Sequence, residues 1–234
     1  MSVGVVLNTY KRNEYFKDQL KAVLKQTVKP DKLIVHRNDN WDDSMFSGVY
    51  WVKSSQNVGV YRRFCLGLDL ETDFLLFFDD DTIPGPKFLE TVLSEFEKEP
   101  GLYCAAGFRL NHTNYNDRQV YGWFAPNLSR ERARIDWPGH AWFMPKSVLI
   151  ESYQIPRYSS NLCGEDMRLA FAAQRLSINT FIAPYNEDKS NWGSTKGMQG
   201  EDMSATFRLP KQKENMHSAM TFYRGLGWKF LSEQ

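Results

Sequence analysis

Asp73-Phe74-Leu75-Leu76-Phe77-Phe78-Asp79-Asp80-Asp81 decides how the rest of this 234-residue chain is read. Five large apolar residues run together and stop at three carboxylates. A run this short, bounded by polar residues, reads as a buried strand of a mostly parallel sheet. The acids then lie at the carboxyl edge of that sheet, where open α/β sheets place their ligands. Adjacent carboxylates repel one another unless a cation or a donor compensates them, and an oxygen-rich cluster suits Mg²⁺ or Mn²⁺. Those ions bind phosphates in turn. A solvated acidic turn ahead of a helix accounts for the same residues, because Pro84-Gly85-Pro86 follows.

Upstream, Val3 to Leu7 is a continuous apolar run that reads as a central strand. After it, Asn13 is a candidate helix cap, and Phe16, Leu20, Val23 and Leu24 recur at helical spacing. Leu33-Ile34-Val35 is a second strand, ending in His36-Arg37-Asn38-Asp39-Asn40. Strand, helix, strand implies a right-handed βαβ unit whose strands end at one sheet edge. Tyr50 to Val52 predicts a third strand, and Tyr61 to about Leu70 a helix with Arg62 and Arg63 near its start. Cations there oppose the helix dipole, and an anion would relieve the cost. Two solvated arginines are the ordinary alternative.

Downstream, Pro86 suits a first helical residue, with Phe88, Leu89, Val92, Leu93 and Phe96 as the buried face. Leu102 to Phe108 and Gln119 to Phe124 read as strands, and Trp137 to Pro145 resumes the core. Gly164-Glu165-Asp166 opens a clear helix, Asn179 to Ala183 reads as a last strand, and Lys211 to Tyr223 as a terminal helix. Residues 186–199 lack periodicity and contain Gly193, Gly197 and Trp192, as a lid or a disordered loop would. No linker divides the chain, so residues 1–234 read as one domain.

Composition narrows the classes. Lysine and arginine number 29 against 28 acids, so no nucleic-acid-binding surface is indicated. No stretch approaches the roughly 18 apolar residues of a membrane span, and the N-terminus reads as a strand and not a signal peptide. Cys65, Cys104 and Cys163 are odd in number and without metal-ligand spacing, which points to a reduced, cytoplasmic setting. The end at Gly227-Trp228-Lys229-Phe230-Leu231 is compatible with one module of a larger polypeptide.

Four stretches in order carry a resemblance. Val5-Val6-Leu7-Asn8-Thr9-Tyr10-Lys11-Arg12, Asn57-Val58-Gly59 with the following arginines, Phe77-Phe78-Asp79-Asp80-Asp81, and Gly164-Glu165-Asp166 resemble, in that order, the opening strand, "N-x-G" segment, D-x-D strand and "E-D" helix start of GT-A nucleotide-sugar glycosyltransferases. The likeness is to inverting, family 2-like members, including domains of viral and bacterial surface-glycan enzymes. It implies an α/β fold with a Rossmann-like, mostly parallel central sheet flanked by helices. Residues 1–108 would be the nucleotide-binding part and 109–234 the acceptor-binding part.

The resemblance also implies roles. Asp81 goes to the metal, Asp79 to the ribose or the metal shell, and Asp80 toward the sugar. Thr9, Tyr10 and Arg12 would border the nucleoside, with Asn57 and Gly59 beside it, and Arg62 or Arg63 would reach a phosphate. Asp39 would accept from a uracil N–H, although Arg37-Asn38-Asp39-Asn40 departs from the common "D-D-G-S". The implied reaction is Mn²⁺- or Mg²⁺-dependent inverting transfer from a nucleoside diphosphate sugar, UDP-sugar first, to a glycan acceptor. Asp166 would be the general base with Glu165 its neighbour, and Gly200-Glu201-Asp202 is the rival for that role. A first-turn acid pair that merely caps a helix explains Glu165 and Asp166 too. His140 and His217 are expected to be structural, Trp142 a core residue and Trp192 part of a lid. A nucleotidyltransferase of similar fold, or a non-catalytic glycan- or nucleotide-binding module, are the competing readings.

Overall fold

The computed structural model describes residues 1–38, 49–110, 114–122, 125, 130–195 and 206–234. Its centre is β4 (Phe74–Phe78), every residue of which is buried. On one side lie β1 (Val3–Thr9), β2 (Lys32–Arg37) and β3 (Tyr50–Lys53), all parallel to it in the order β3-β2-β1-β4. On the other side β8 (Trp137–Pro145) enters antiparallel, followed by β5 (Gly101–Leu110), β9 (Asn179–Ile182) and the short β7 (Ala133–Arg134). A further strand, β6 (Arg118–Gly122), pairs with the later half of β5, completing a nine-stranded sheet.

Register sets where the strands stop. Thr9 pairs with Arg37, Arg37 with Lys53, and Leu7 with Phe78, so β1 to β4 release their chains at one edge. The next residue after Phe78 is Asp79. On β8, Ala141 pairs with Phe78, which puts His140 opposite Asp79.

Alternation along β4 assigns the two faces. Phe74 and Phe78 meet Phe96 and Phe88 of α3 (Phe88–Lys98), with α1 (Asn13–Leu24) beside it. Phe77 points the other way, to Phe64 of α2 (Arg62–Leu68), 4.7 Å between ring centroids. On that face α4 (Lys146–Gln154) packs on α2 and on α5 (Glu165–Arg175), and α6 (Gln212–Gly225) packs on α5. Fully burying each such aromatic is worth about 1.5–3 kcal/mol. α1 begins at Asn13 itself, with Arg12 in the cap position, and α3 begins at Phe88, two residues beyond Pro86.

Two buried glutamines, Gln19 within α1 and Gln26 just beyond its end, tie that helix to the β4–α3 segment. Gln26 donates to the Gly85 carbonyl at 2.7 Å and accepts from the Leu89 amide at 2.9 Å. Gln19 donates to the carbonyls of Asp79 at 2.5 Å and Thr82 at 2.7 Å. Buried backbone carbonyls need such partners once they leave the ladder.

The loop after β9 differs from a free lid as far as it is described. The amides of Gly85 and Lys87 donate to the Trp192 and Ser190 carbonyls, and the Thr195 amide donates to that of Ile83. Residues 186–195 are thereby pinned along the segment that follows the acids. Trp192 is half-buried, its indole donating to the Asn186 carbonyl with Lys189 over its ring.

Close approach of α2 to β4 depends on Gly67, where a Cβ would lie 2.6 Å from the Phe77 ring. Gly67→Val is expected to destabilise the fold by about 1–3 kcal/mol, read as a lower urea midpoint with an unchanged slope.

Candidate active site

The acids sit on a turn fixed through its backbone. The Thr82 amide donates to the Asp79 carbonyl, the Asp79 amide donates to the His140 carbonyl at 2.9 Å, and Gln19 holds both turn carbonyls. The three carboxylates therefore stay close despite their repulsion.

Among the described residues two guanidiniums offset them. Arg12, on the β1–α1 loop, reaches Asp80 at 2.6 Å and Asp81 at 2.8 Å. The Tyr10 amide adds a 3.2 Å bond to Asp80. Arg63, in the first turn of α2, donates to Asp79 at 2.6 Å and to Glu165 at 3.4 Å. Its guanidinium lies 4.6 Å from the Trp142 ring centre, in cation–π contact. Arg63 is buried and Arg62 exposed, so the structure separates a pair that spacing left equivalent. Burial acts to raise the Asp79 carboxyl, but Arg63 and His140 outweigh it and hold it below the usual range. Burial pushes Asp80 up to about 7, against the pull of Arg12, and the neighbouring acids add to the rise.

Across Arg63 lies the start of α5. Gly164, at φ 92°, turns the chain so that Glu165 and Asp166 open the helix. Both are buried at its positive end. Burial, then each other's charge, lifts Glu165 to about 8, with Arg63 opposing. One carboxylate oxygen of Glu165, Oε2, has no hydrogen-bond partner among the described residues. Burial raises Asp166 to about 6. Its Oδ1 accepts from the Met167 amide at 2.8 Å. The Trp137 indole lies near enough to temper that rise without completing a proper hydrogen bond.

His140, expected to be structural, lies beside the acids. Its Nδ1 lies 3.8 Å from an Asp79 oxygen. Asp79, Asp81 and His140 each offer one ligand atom, and these all lie within 4.8 Å of one another. Two carboxylates and an imidazole suit Mn²⁺ or a similar divalent ion. His140 holds a left-handed φ of 65° within a strand, and the β5–β8 register shifts opposite it. Such backbone costs about 1–2 kcal/mol in a non-glycine residue and concentrates at functional sites.

Other expected residues lie at the end of β1 and on the turn ahead of α2. Thr9 is wholly buried, and its hydroxyl has no partner among the described residues. The Asn57 carboxamide oxygen accepts from Asn38 and from the Gly59 amide, while Gly59, at φ 81°, packs against the Asn161 carbonyl. These two shape the turn ahead of α2. His36 is wedged between Asn8 and Ser54 at 2.7 and 2.8 Å, and burial, then Arg62 and Arg63, lower it to about 4. Trp142 is core, as expected. Asp39, Glu201 and Asp202 lie outside the described residues. Two cavities among the described residues, of about 230 and 350 Å³, are lined by Arg134, Leu231 and neighbours of the C-terminal segment. The first borders Gln174 and Ser177 at the far end of α5, roughly 15 Å from Glu165 along eleven helical residues. The convergence of charged groups, not cavity size, marks the site.

No protein-family profile matches the chain. A glucosyl-dolichyl phosphate glucuronosyltransferase of Haloferax volcanii is 27% identical over 118 residues, covering 46% of this chain and 38% of its own length. Among solved structures, S. aureus TarS 1–349 superposes with a TM-score of 0.55 at 16% identity, covering 79% of this chain and 60% of that one. The same fragment in complex with UDP-GlcNAc gives a TM-score of 0.55 over 80% of this chain and 59% of that one. The chain thus spans less than two-thirds of the length of each of these proteins. The fold is the GT-A arrangement, a central sheet flanked by helices.

The raised carboxyls set a pH dependence. Glu165 binds its proton more tightly folded, at about 8, than at its usual 4.5. The stability this lends is whole below the unfolded value and is lost as pH rises through the folded one. Melting temperature is therefore expected to fall between pH 5 and 8. Glu165→Gln should flatten that slope and raise stability at pH 8 by about 1 kcal/mol or more, as pH-resolved melting curves would record.

Proposed function

We propose that this chain is a metal-dependent inverting glycosyltransferase that moves a sugar from a nucleoside diphosphate donor, UDP-sugar first, onto a hydroxyl of a glycan acceptor. The observation that carries this reading is the convergence, at the carboxyl edge of the sheet, of a pinned acidic turn and a buried acid pair linked by Arg63. The GT-A fold and the printed names of the relatives support it: one is a glucuronosyltransferase, and the other was crystallised with UDP-GlcNAc.

Asp79, Asp81 and His140 would hold Mn²⁺ or Mg²⁺. A divalent ion there supplies Lewis-acid stabilisation of the negative charge on a departing diphosphate. Arg63 ties the acidic turn to Glu165, the residue beside the base. Asp166, raised to about 6, is ionised at neutral pH yet basic enough to take a proton. It removes the acceptor hydroxyl proton as that oxygen attacks the anomeric carbon opposite the leaving group. Glu165, higher still, stays protonated longer and orients acceptor hydroxyls. A nucleotidyltransferase would release pyrophosphate from a triphosphate instead, so the product separates the two. A non-catalytic binding module would turn over nothing.

A donor panel including UDP-GlcNAc and UDP-glucuronic acid, read as released UDP with and without Mn²⁺, tests the proposal. Turnover with at least one donor, abolished by chelation, is expected. Asp166→Asn should cut kcat by about 10²–10⁴ while keeping the UDP-induced rise in melting temperature, and Asp81→Asn should lose the Mn²⁺-dependent part of that rise. Undiminished turnover in Asp166→Asn would remove the base from this scheme.

A further inference from the structure

The acidic turn already carries a cation of its own. Gln19, the Thr82 amide and the His140 carbonyl fix the turn's backbone, so the carboxylates cannot separate to relieve their repulsion. Of the two compensating arginines, Arg63 is immobilised within α2, over Trp142 and between Asp79 and Glu165. Arg12 is placed differently. It belongs to the β1–α1 loop, follows Lys11 at a left-handed φ of 59°, and precedes the first turn of α1. Its guanidinium bonds Asp81, one of the three residues whose ligand atoms converge, and Asp80 beside it. A divalent ion on Asp79, Asp81 and His140 would share Asp81 with this guanidinium at a few ångströms, where like charges repel strongly in a partly buried site.

We propose that Arg12 is the residue that makes the acidic turn select a cation carrying a diphosphate over a free cation. This rests on the metal-dependent reading given above. Without nucleotide, Arg12 occupies one oxygen of Asp81 and its charge disfavours the ion. A diphosphate brought in with the ion offers Arg12 a better partner, since a guanidinium pairs bidentately with phosphate oxygens. Arg12 then passes from carboxylate to phosphate, Asp81 is freed, and the ion and the diphosphate strengthen each other's binding by the same factor. Donor specificity follows: a sugar monophosphate, with fewer oxygens to draw Arg12 away, would couple less.

The test is equilibrium binding on the whole chain. Free Mn²⁺ is followed by electron paramagnetic resonance with and without UDP, and UDP binding by calorimetry with and without Mn²⁺. In the unsubstituted protein each partner is expected to tighten the other by about tenfold. In Arg12→Gln, Mn²⁺ alone should bind several-fold more tightly, UDP in saturating Mn²⁺ several-fold more weakly, and the mutual factor should fall toward one. Arg12→Lys, which keeps the charge without the fork, should preserve the weak binding of Mn²⁺ alone and lose part of the UDP contact. If Arg12→Gln weakens Mn²⁺ alone, or leaves the mutual factor intact, the selective role is overturned while the metal site stands. If neither protein binds Mn²⁺ under any condition, both the role and the metal-dependent reading fall.

Discussion

The structure depends on compensating five carboxylates crowded at one sheet edge. Asp79, Asp80 and Asp81 face Glu165 and Asp166 across Arg63; Asp81, Glu165 and Asp166 are buried, and Asp79 and Asp80 are half-buried. Desolvation makes each charge costly, and their mutual repulsion adds to the cost. Arg63 meets both groups at once, and the ring of Trp142 forms part of its wall. The guanidinium thus does two things that spacing in sequence could not reveal. It neutralises the centre of the cluster, and it joins the turn after β4 to the helix that opens more than eighty residues later.

Such compensation works only if the carboxylates are held where the cations can reach them. Backbone hydrogen bonds provide this hold. Gln19 reaches from α1 to two carbonyls of the turn, and β8 supplies a third anchor through His140. The antiparallel entry of β8 beside β4 is therefore more than an edge detail of topology. It brings an imidazole to the acids from a strand that runs the opposite way, at the point where the strand departs from regular geometry. A rigid support of this sort is what allows a site to keep strained and like-charged groups together.

Much of the fold was legible in the chain. Short apolar runs at Val3–Leu7, Leu33–Val35 and Phe74–Phe78 became β1, β2 and β4, because burial on both faces leaves no polar alternation to confuse them. The acids at the end of β4, and Glu165 and Asp166 at the start of α5, were found where the pattern placed them. What stayed hidden was pairing. His140 lies in an apolar stretch that any core strand would show, and only its register against Phe78 and Asp79 gives it meaning. Gln19 looks like any helical glutamine until the carbonyls it serves are known. Arg62 and Arg63 differ only in the face of α2 they occupy, and only the fold shows the turn at Asn57 and Gly59 closing on Asn38 and Asn161.

The distribution of strain and charge bears on function more directly than any single residue does. A chain selected for stability alone would not keep Glu165 and Asp166 buried side by side, with one Glu165 oxygen unpartnered among the described residues. Nor would it set a histidine in the left-handed region of an otherwise regular strand. Replacing buried ionic groups with apolar ones of similar volume is commonly neutral or stabilising. These features are retained together, on one edge, and pinned by polar bonds from three separate elements. That cost is explained if the edge must receive something that completes its charge balance, as a cation and an anionic donor would. The far cavities beside Arg134 and Leu231 lack this concentration of unfavourable groups, which is why volume is the poorer guide to where this protein acts.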